Sequence, residues 1–161
     1  MIPTELTNRK APVIRGTNFT QNNYTVVYFY PRDNTSGCII EAKEFSELLP
    51  QFQKLNTQVI GISKDTNESH DNFIEKQNLK IQLISDSDLK LQQKYKVWQE
   101  KKLGSRKYMG TARTTFLVHA SGRIERVWEK VKPKGHAYEV LEYVAEAMHR
   151  PLSKKKKPED K

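Results

Sequence analysis

The chain has 161 residues, 36% hydrophobic and 29% charged, with a formal net charge of +9 at pH 7 and a single cysteine, Cys38. That length suits one domain with a core of ordinary size, and no apolar run approaches the ~20 residues that cross a bilayer. One cysteine excludes an intrachain disulfide and any multi-cysteine metal site, and it points to a reducing, cytoplasmic setting.

Residues 1–23 are polar, lack the apolar core of a secretory signal, and read as an irregular lead-in with a short strand near Val13–Ile14. "YTVVYFY" (24–30) is a dense run of β-branched and aromatic residues, the pattern of a strand buried on both faces. Pro31 ends it, because a central strand cannot spare a backbone donor, and "DNTSG" is loop chemistry. From Cys38, the spacing of Ile40, Phe45, Leu48, Leu49, Phe52 and Leu55 predicts a helix that Pro50 should kink or divide.

"TQVIGIS" (57–63) predicts a second buried strand, and "TNESHDNFIEKQNL" (66–79) a helix capped by Thr66 or Asn67, with Ser69 a further candidate. A third strand is expected at 81–86, a short helix at 88–96 and a basic loop at 98–111. "RTTFLVHASGRIERVWEKV" reads as strand, Ser-Gly turn and strand. Apolar residues at 137, 140, 141, 144, 145 and 148 form one stripe of a final amphipathic helix, 136–150. The early strand–helix alternation implies parallel pairing, and the late hairpin adds antiparallel strands. The expected fold is therefore α/β, a central mixed β-sheet flanked by helices, in a single domain spanning 1–150.

Two segments hold the whole charge excess. Residues 92–107 carry six basic and one acidic side chain, and residues 150–161 carry six basic and two acidic. Such runs attract nucleic acid in other contexts. Here no aromatic-rich surface or nucleic-acid motif accompanies them. They read as a solvated loop and, over 151–161, a disordered basic tail, and nucleic acid is not an expected partner. The four histidines, His70, His119, His136 and His149, have no metal-ligand spacing; His70 is expected at the surface or in a capping role.

Cys38 falls at the C-terminal end of a buried strand and in the first turn of a helix. Open α/β sheets bind ligands at such edges, and a helix start offers unpaired N–H groups and partial positive charge that favour thiolate over thiol. A buried cysteine acting as a small hydrophobe would need none of Pro31, Thr35 and Gly37 before it.

"VVYFYPRDNTSGCIIEAKEF" resembles the active-site segment of peroxiredoxins, specifically the bacterioferritin-comigratory protein (PrxQ) subfamily, whose Pro-x-x-x-Thr-x-x-Cys signature is filled by Pro31, Thr35 and Cys38. "VIGISKDTNESHDNFIEKQNLKIQLISDSD" and "RTTFLVHASGRI" resemble later parts of the same subfamily, so the likeness runs through residues 24–148. It implies a thioredoxin-like fold of peroxiredoxin type and two-electron reduction of hydrogen peroxide or organic hydroperoxides, with no metal or other cofactor. By the same resemblance Cys38 is the attacking thiolate, Arg113 and Thr35 orient the peroxide, and Pro31 shields the sulfur. The N–H groups at Gly37 and Cys38 join the anion site. Glu41 either orients Arg113 or is a plain first-turn glutamate; both roles fit. The subfamily's second cysteine, five residues after the first, is Lys43 here. An external thiol (thioredoxin, glutaredoxin with glutathione, or a small thiol) must then reduce the oxidised sulfur. A monomer is expected, with a dimer as the alternative. Other readings are a redox-fold binding protein acting through its basic segments and a peroxide sensor working by mixed disulfide.

Overall fold

A computed structural model describes residues 2–149, so the basic tail lies outside the described residues. Five strands form one sheet: β1 (Tyr24–Phe29), β2 (Thr57–Ser63), β3 (Gln82–Ser85), β6 (Thr114–His119) and β7 (Ile124–Trp128), in the order β3-β2-β1-β6-β7. The sheet is mixed, with β1 parallel to β2 and β2 to β3, and β6 antiparallel to both β1 and β7. Every residue of β1 is buried, and period-two alternation assigns its side chains to two cores. Tyr24, Val26, Tyr28 and the following Tyr30 face one; Val27 and Phe29 face the other.

The first core is closed by α1 (Ser36–Lys54), α2 (Asn67–Gln77) and α4 (His136–Met148), through Phe45, Phe52, Phe73, Val140 and Val144. Tyr28 stacks on Phe45 with ring centroids 4.7 Å apart. A Cβ on Gly61, its β2 neighbour, would meet the Tyr28 ring at 2.8 Å, so glycine is needed there. The second core is closed by Tyr95 and Val97, which follow α3 (Lys90–Lys94), together with Ala11 and Ile14 from the N-terminal segment.

Three expectations need correction. No strand forms at Val13–Ile14: the segment carries two 3-10 turns, Pro3–Leu6 and Phe19–Gln21, and Ile14 enters the core as a single plug while Val13 stays exposed. Helix α1 starts at Ser36, two residues before Cys38, and runs through Pro50, which lies on the exposed face where a carbonyl robbed of its donor stays hydrated. The segment at 98–111 is not a loop. It is a separate antiparallel hairpin, β4 (Trp98–Leu103) and β5 (Arg106–Thr111), turning at Gly104 with φ +65°. Lys102, Arg106 and Lys107 are exposed and Lys101 is half-buried, so the hairpin lacks the apolar alternation by which strands are recognised. On that hairpin Tyr108 is half-exposed.

Candidate active site

The β1–α1 connection sets the site. Thr35 occupies the N-cap position of α1 with extended backbone (φ −88°, ψ 155°), and the first helical bond runs from Ile39 N–H to the Thr35 carbonyl. Ser36, Gly37 and Cys38 therefore occupy the first turn, whose N–H groups have no partner within the helix. Cys38 is buried, 1% exposed, on the side of α1 that faces the sheet.

Arg113 arrives from the far end of the chain, in the link between β5 and β6. Its backbone is pinned: its carbonyl accepts from Val131 N–H at 3.1 Å, and on either side Ala112 N–H donates to the Val97 carbonyl and Thr114 Oγ1 to the Ala112 carbonyl. From there the guanidinium forks. Nη2 donates to Cys38 Sγ at 3.5 Å, and Nη1 donates to Glu41 Oε1 at 2.7 Å. The planar fork lets one cation serve two acceptors.

Glu41 is fully buried, one turn beyond Cys38 on α1, and its Oε2 has no partner among the described residues. Burial pushes its carboxyl up to about 7, against the pull of Arg113. Burial tends to lower the guanidinium's own pKa, but Glu41 and Cys38 outweigh it and hold Arg113 above its ordinary value. Glu41 and Arg113 thus form an ion pair whose carboxylate side is completely buried.

Gly37 explains itself through the same arginine. A Cβ there would lie 3.2 Å from Arg113 Nη2 and 3.2 Å from Pro133 Cγ, so the guanidinium lies across the glycine. Gly37→Ala favours the helix yet pushes that guanidinium by a few tenths of an ångström. We expect an unchanged or higher melting temperature with a roughly tenfold slower reaction of Cys38 with hydrogen peroxide, measured by stopped-flow fluorescence. An unslowed reaction would separate Gly37 from the guanidinium's placement.

The other motif residues sit nearby in the chain. Thr35 is exposed, and its hydroxyl donates to the Arg32 carbonyl at 3.0 Å, which leaves its oxygen available as an acceptor. Pro31 follows the end of β1, half-buried, with its carbonyl 3.5 Å from Lys64 Nζ. Two contributors escape the sequence reading. Lys101 of β4 lies within electrostatic reach of Cys38, Arg113 and Lys64, and burial together with Arg113 lowers its pKa. His70 is neither at the surface nor a cap: it is buried against Asp33 of the β1–α1 loop, Nδ1 to Oδ2 at 2.7 Å. Its spacing with Phe73 and Ile74, three and four residues on, is the signal that places it on the inner face of α2. Among the described residues no group of three or more His, Cys, Asp and Glu side chains could hold a metal ion, and no helix is long and apolar enough to cross a membrane.

Comparison with known proteins gives one consistent result. Residues 3–127 match the model of the AhpC/TSA family. The peroxiredoxin Bcp of Bacillus subtilis is 42% identical over 122 residues, 76% of this chain and 78% of its own. That of Xanthomonas campestris is 41% identical over 119 residues, 74% of either chain. The solved structure of the X. campestris bacterioferritin comigratory protein, described for its alkyl peroxide reduction activity, superposes with a TM-score of 0.76 at 37% identity, covering 80% of this chain and 82% of that one. A mutant of Xylella fastidiosa PrxQ gives the same TM-score at 42% identity, covering 80% and 79%.

Proposed function

This chain belongs to the AhpC/TSA family as a thiol-dependent peroxidase of the peroxiredoxin Bcp kind, and from that premise we propose that the reaction runs on Cys38 with Arg113, Thr35 and the first turn of α1, and that an external thiol completes each cycle. The observation behind the assignment is the fork of Arg113, which joins the only cysteine to a buried carboxylate.

The Cys38 thiolate attacks the terminal oxygen of the hydroperoxide. The O–O bond breaks, the sulfur becomes sulfenic acid, and the remaining oxygen leaves as alkoxide or hydroxide and takes up a proton. Negative charge moves from sulfur to the leaving oxygen as this happens. Nη2 of Arg113 and the unpaired N–H groups of Gly37 and Cys38 are fixed donors along that path, and such preorganised donors lower the barrier. Glu41 holds the guanidinium in place. Thr35 Oγ1 accepts from the peroxide O–H while its own O–H keeps donating to the Arg32 carbonyl. Pro31 screens the sulfur from bulk water.

The sulfenic acid has no cysteine in its own chain to condense with. A first external thiol condenses with it, releasing water and leaving a mixed disulfide. A second thiol then displaces Cys38, giving an external disulfide and the regenerated cysteine. The chemistry fits a reducing cytoplasm, and the chain acts as a monomer in this scheme. Peroxide consumption assayed separately with thioredoxin and its reductase, with glutaredoxin and glutathione, and with dithiothreitol identifies the reductant. Sustained turnover is expected with at least one of them. One turnover per chain with every thiol would contradict the external-thiol cycle.

A further inference from the structure

The β1–α1 loop carries Thr35 and delivers the chain to Cys38, and its midpoint, Asp33, is held by an unusually complete set of bonds. The Asp33 side chain is 2% exposed. Oδ1 accepts from the Tyr30 hydroxyl at 2.7 Å, and Oδ2 accepts from the Ser69 hydroxyl at 2.7 Å and from His70 Nδ1 at 2.7 Å. The Asp33 backbone N–H donates to Asp65 Oδ2 at 2.8 Å, an oxygen that also accepts from Ser63 Oγ at 2.6 Å. His70 Nε2 faces the Ile84 carbonyl of β3 at 3.1 Å.

Both ring nitrogens of His70 thus face acceptors, a carboxylate and a carbonyl, and only the doubly protonated imidazolium donates to both. The loop's one buried charge is matched by a cation anchored on two other elements, α2 and β3. Asn34, the next residue, adopts the left-handed conformation (φ 63°), so the chain turns sharply between this anchor and Thr35.

We propose that His70, as an imidazolium, is a positioning residue for the peroxidase reaction: through Asp33 it fixes the loop that presents Thr35 to the peroxide. The proposal rests on the peroxidase reading above. It separates two properties of the site. Attack by the sulfur on any electrophile needs only a thiolate with access. Attack on a hydroperoxide also needs the O–H held by the Thr35 loop. Loss of the imidazolium is therefore felt by peroxide and not by a simple alkylating agent.

The pH dependence follows with a definite sign. Burial works against the charged ring, but the bond to Asp33 outweighs it and holds His70 above its ordinary 6.5. On Asp33, burial raises the pKa, and the bonds from His70, Tyr30 and Ser69 bring it below its ordinary value. The titratable groups facing the ring are Asp33 from the loop, Tyr30 from the end of β1 and Asp65 from the turn after β2. The charged pair is lost as pH rises through the elevated His70 pKa and, at the acid end, as pH falls through the lowered Asp33 pKa.

The test measures two second-order rate constants for Cys38, with hydrogen peroxide and with iodoacetamide, and takes their ratio, which cancels the fraction of thiolate. In H70Q and in D33N, each checked for an unchanged circular dichroism spectrum, the ratio is expected to fall about tenfold at pH 7, and the double variant to fall no further than either single one. In the unaltered protein the ratio is expected to decline at alkaline pH in step with the His70 ring titration followed by NMR, a measurement that requires no variant to fold. A folded variant with an unchanged ratio, or a ratio that stays level while His70 titrates, would overturn the positioning role. Failure of the unaltered protein to react with peroxide at all would instead sink the peroxidase assignment.

Discussion

Arg113→Gln is expected to slow the oxidation of Cys38 by hydrogen peroxide by about a hundredfold to a thousandfold, the usual consequence of removing one preorganised donor from a charge-transfer site. Glutamine keeps some of the volume and one amide donor, but it loses the charge and the second arm of the fork. The effect is compounded at Glu41. With Nη1 gone, a carboxyl buried completely and already pushed up by that burial loses its only hydrogen-bond partner among the described residues, Oε1 to Nη1 at 2.7 Å. Desolvation then drives it toward the neutral form. Arg113→Lys is expected to recover only part of the rate, because an ammonium is a point charge that cannot reach Cys38 Sγ and Glu41 Oε1 in one plane. Stopped-flow measurement of both variants checks this. Equal rates for lysine and arginine would reduce the role to charge alone.

Cys38→Ser is expected to abolish peroxide consumption entirely, with every thiol reductant and at every pH. The substitution is nearly isosteric in a first helical turn, so the fork from Arg113 to Glu41 persists and the fold with it. A serine hydroxyl stays protonated across the working range and makes no stable bond to a peroxide oxygen, so neither reactive form is available. The same argument makes the single cysteine a vulnerability. If peroxide is supplied without thiol, the sulfenic acid has no internal route back and proceeds to sulfinic acid, which no thiol reduces. Mass spectrometry of the intact chain after excess peroxide is expected to show two added oxygen atoms at Cys38 and none in the serine variant.

How much of this was legible in the sequence differs from element to element. The buried strands were plain because β1 and β2 are packed on both faces, and only an unbroken apolar run satisfies such a position. The start of α2 was readable to within a few residues, with Thr66, Asn67 and Ser69 all able to cap it, and the structure selects Thr66, whose hydroxyl accepts from Ser69 N–H. The β4–β5 hairpin was hidden for the opposite reason. It forms a sheet of its own and most of its residues are exposed, so its charged side chains carry no apolar alternation. Within the site, Cys38, Thr35 and Gly37 lie in one short segment whose spacing reports their proximity. The pairing of Arg113 with Glu41 spans 72 residues, and the expectation for it came from family resemblance. His70 shows the limit most clearly. A polar residue on an inner helix face has a buried partner, but nothing local names Asp33, 37 residues away, because the sheet order brings them together.

The most direct test of the whole account is the reaction of the fully reduced protein with hydrogen peroxide at pH 7, in the absence of any other thiol, followed by stopped-flow tryptophan fluorescence and by trapping of sulfenic acid on Cys38. A single fast phase is expected, linear in peroxide and orders of magnitude faster than free cysteine at the same pH, with one sulfenic acid formed per chain. A rate no greater than that of free cysteine would mean that the guanidinium 3.5 Å from the sulfur does not activate it.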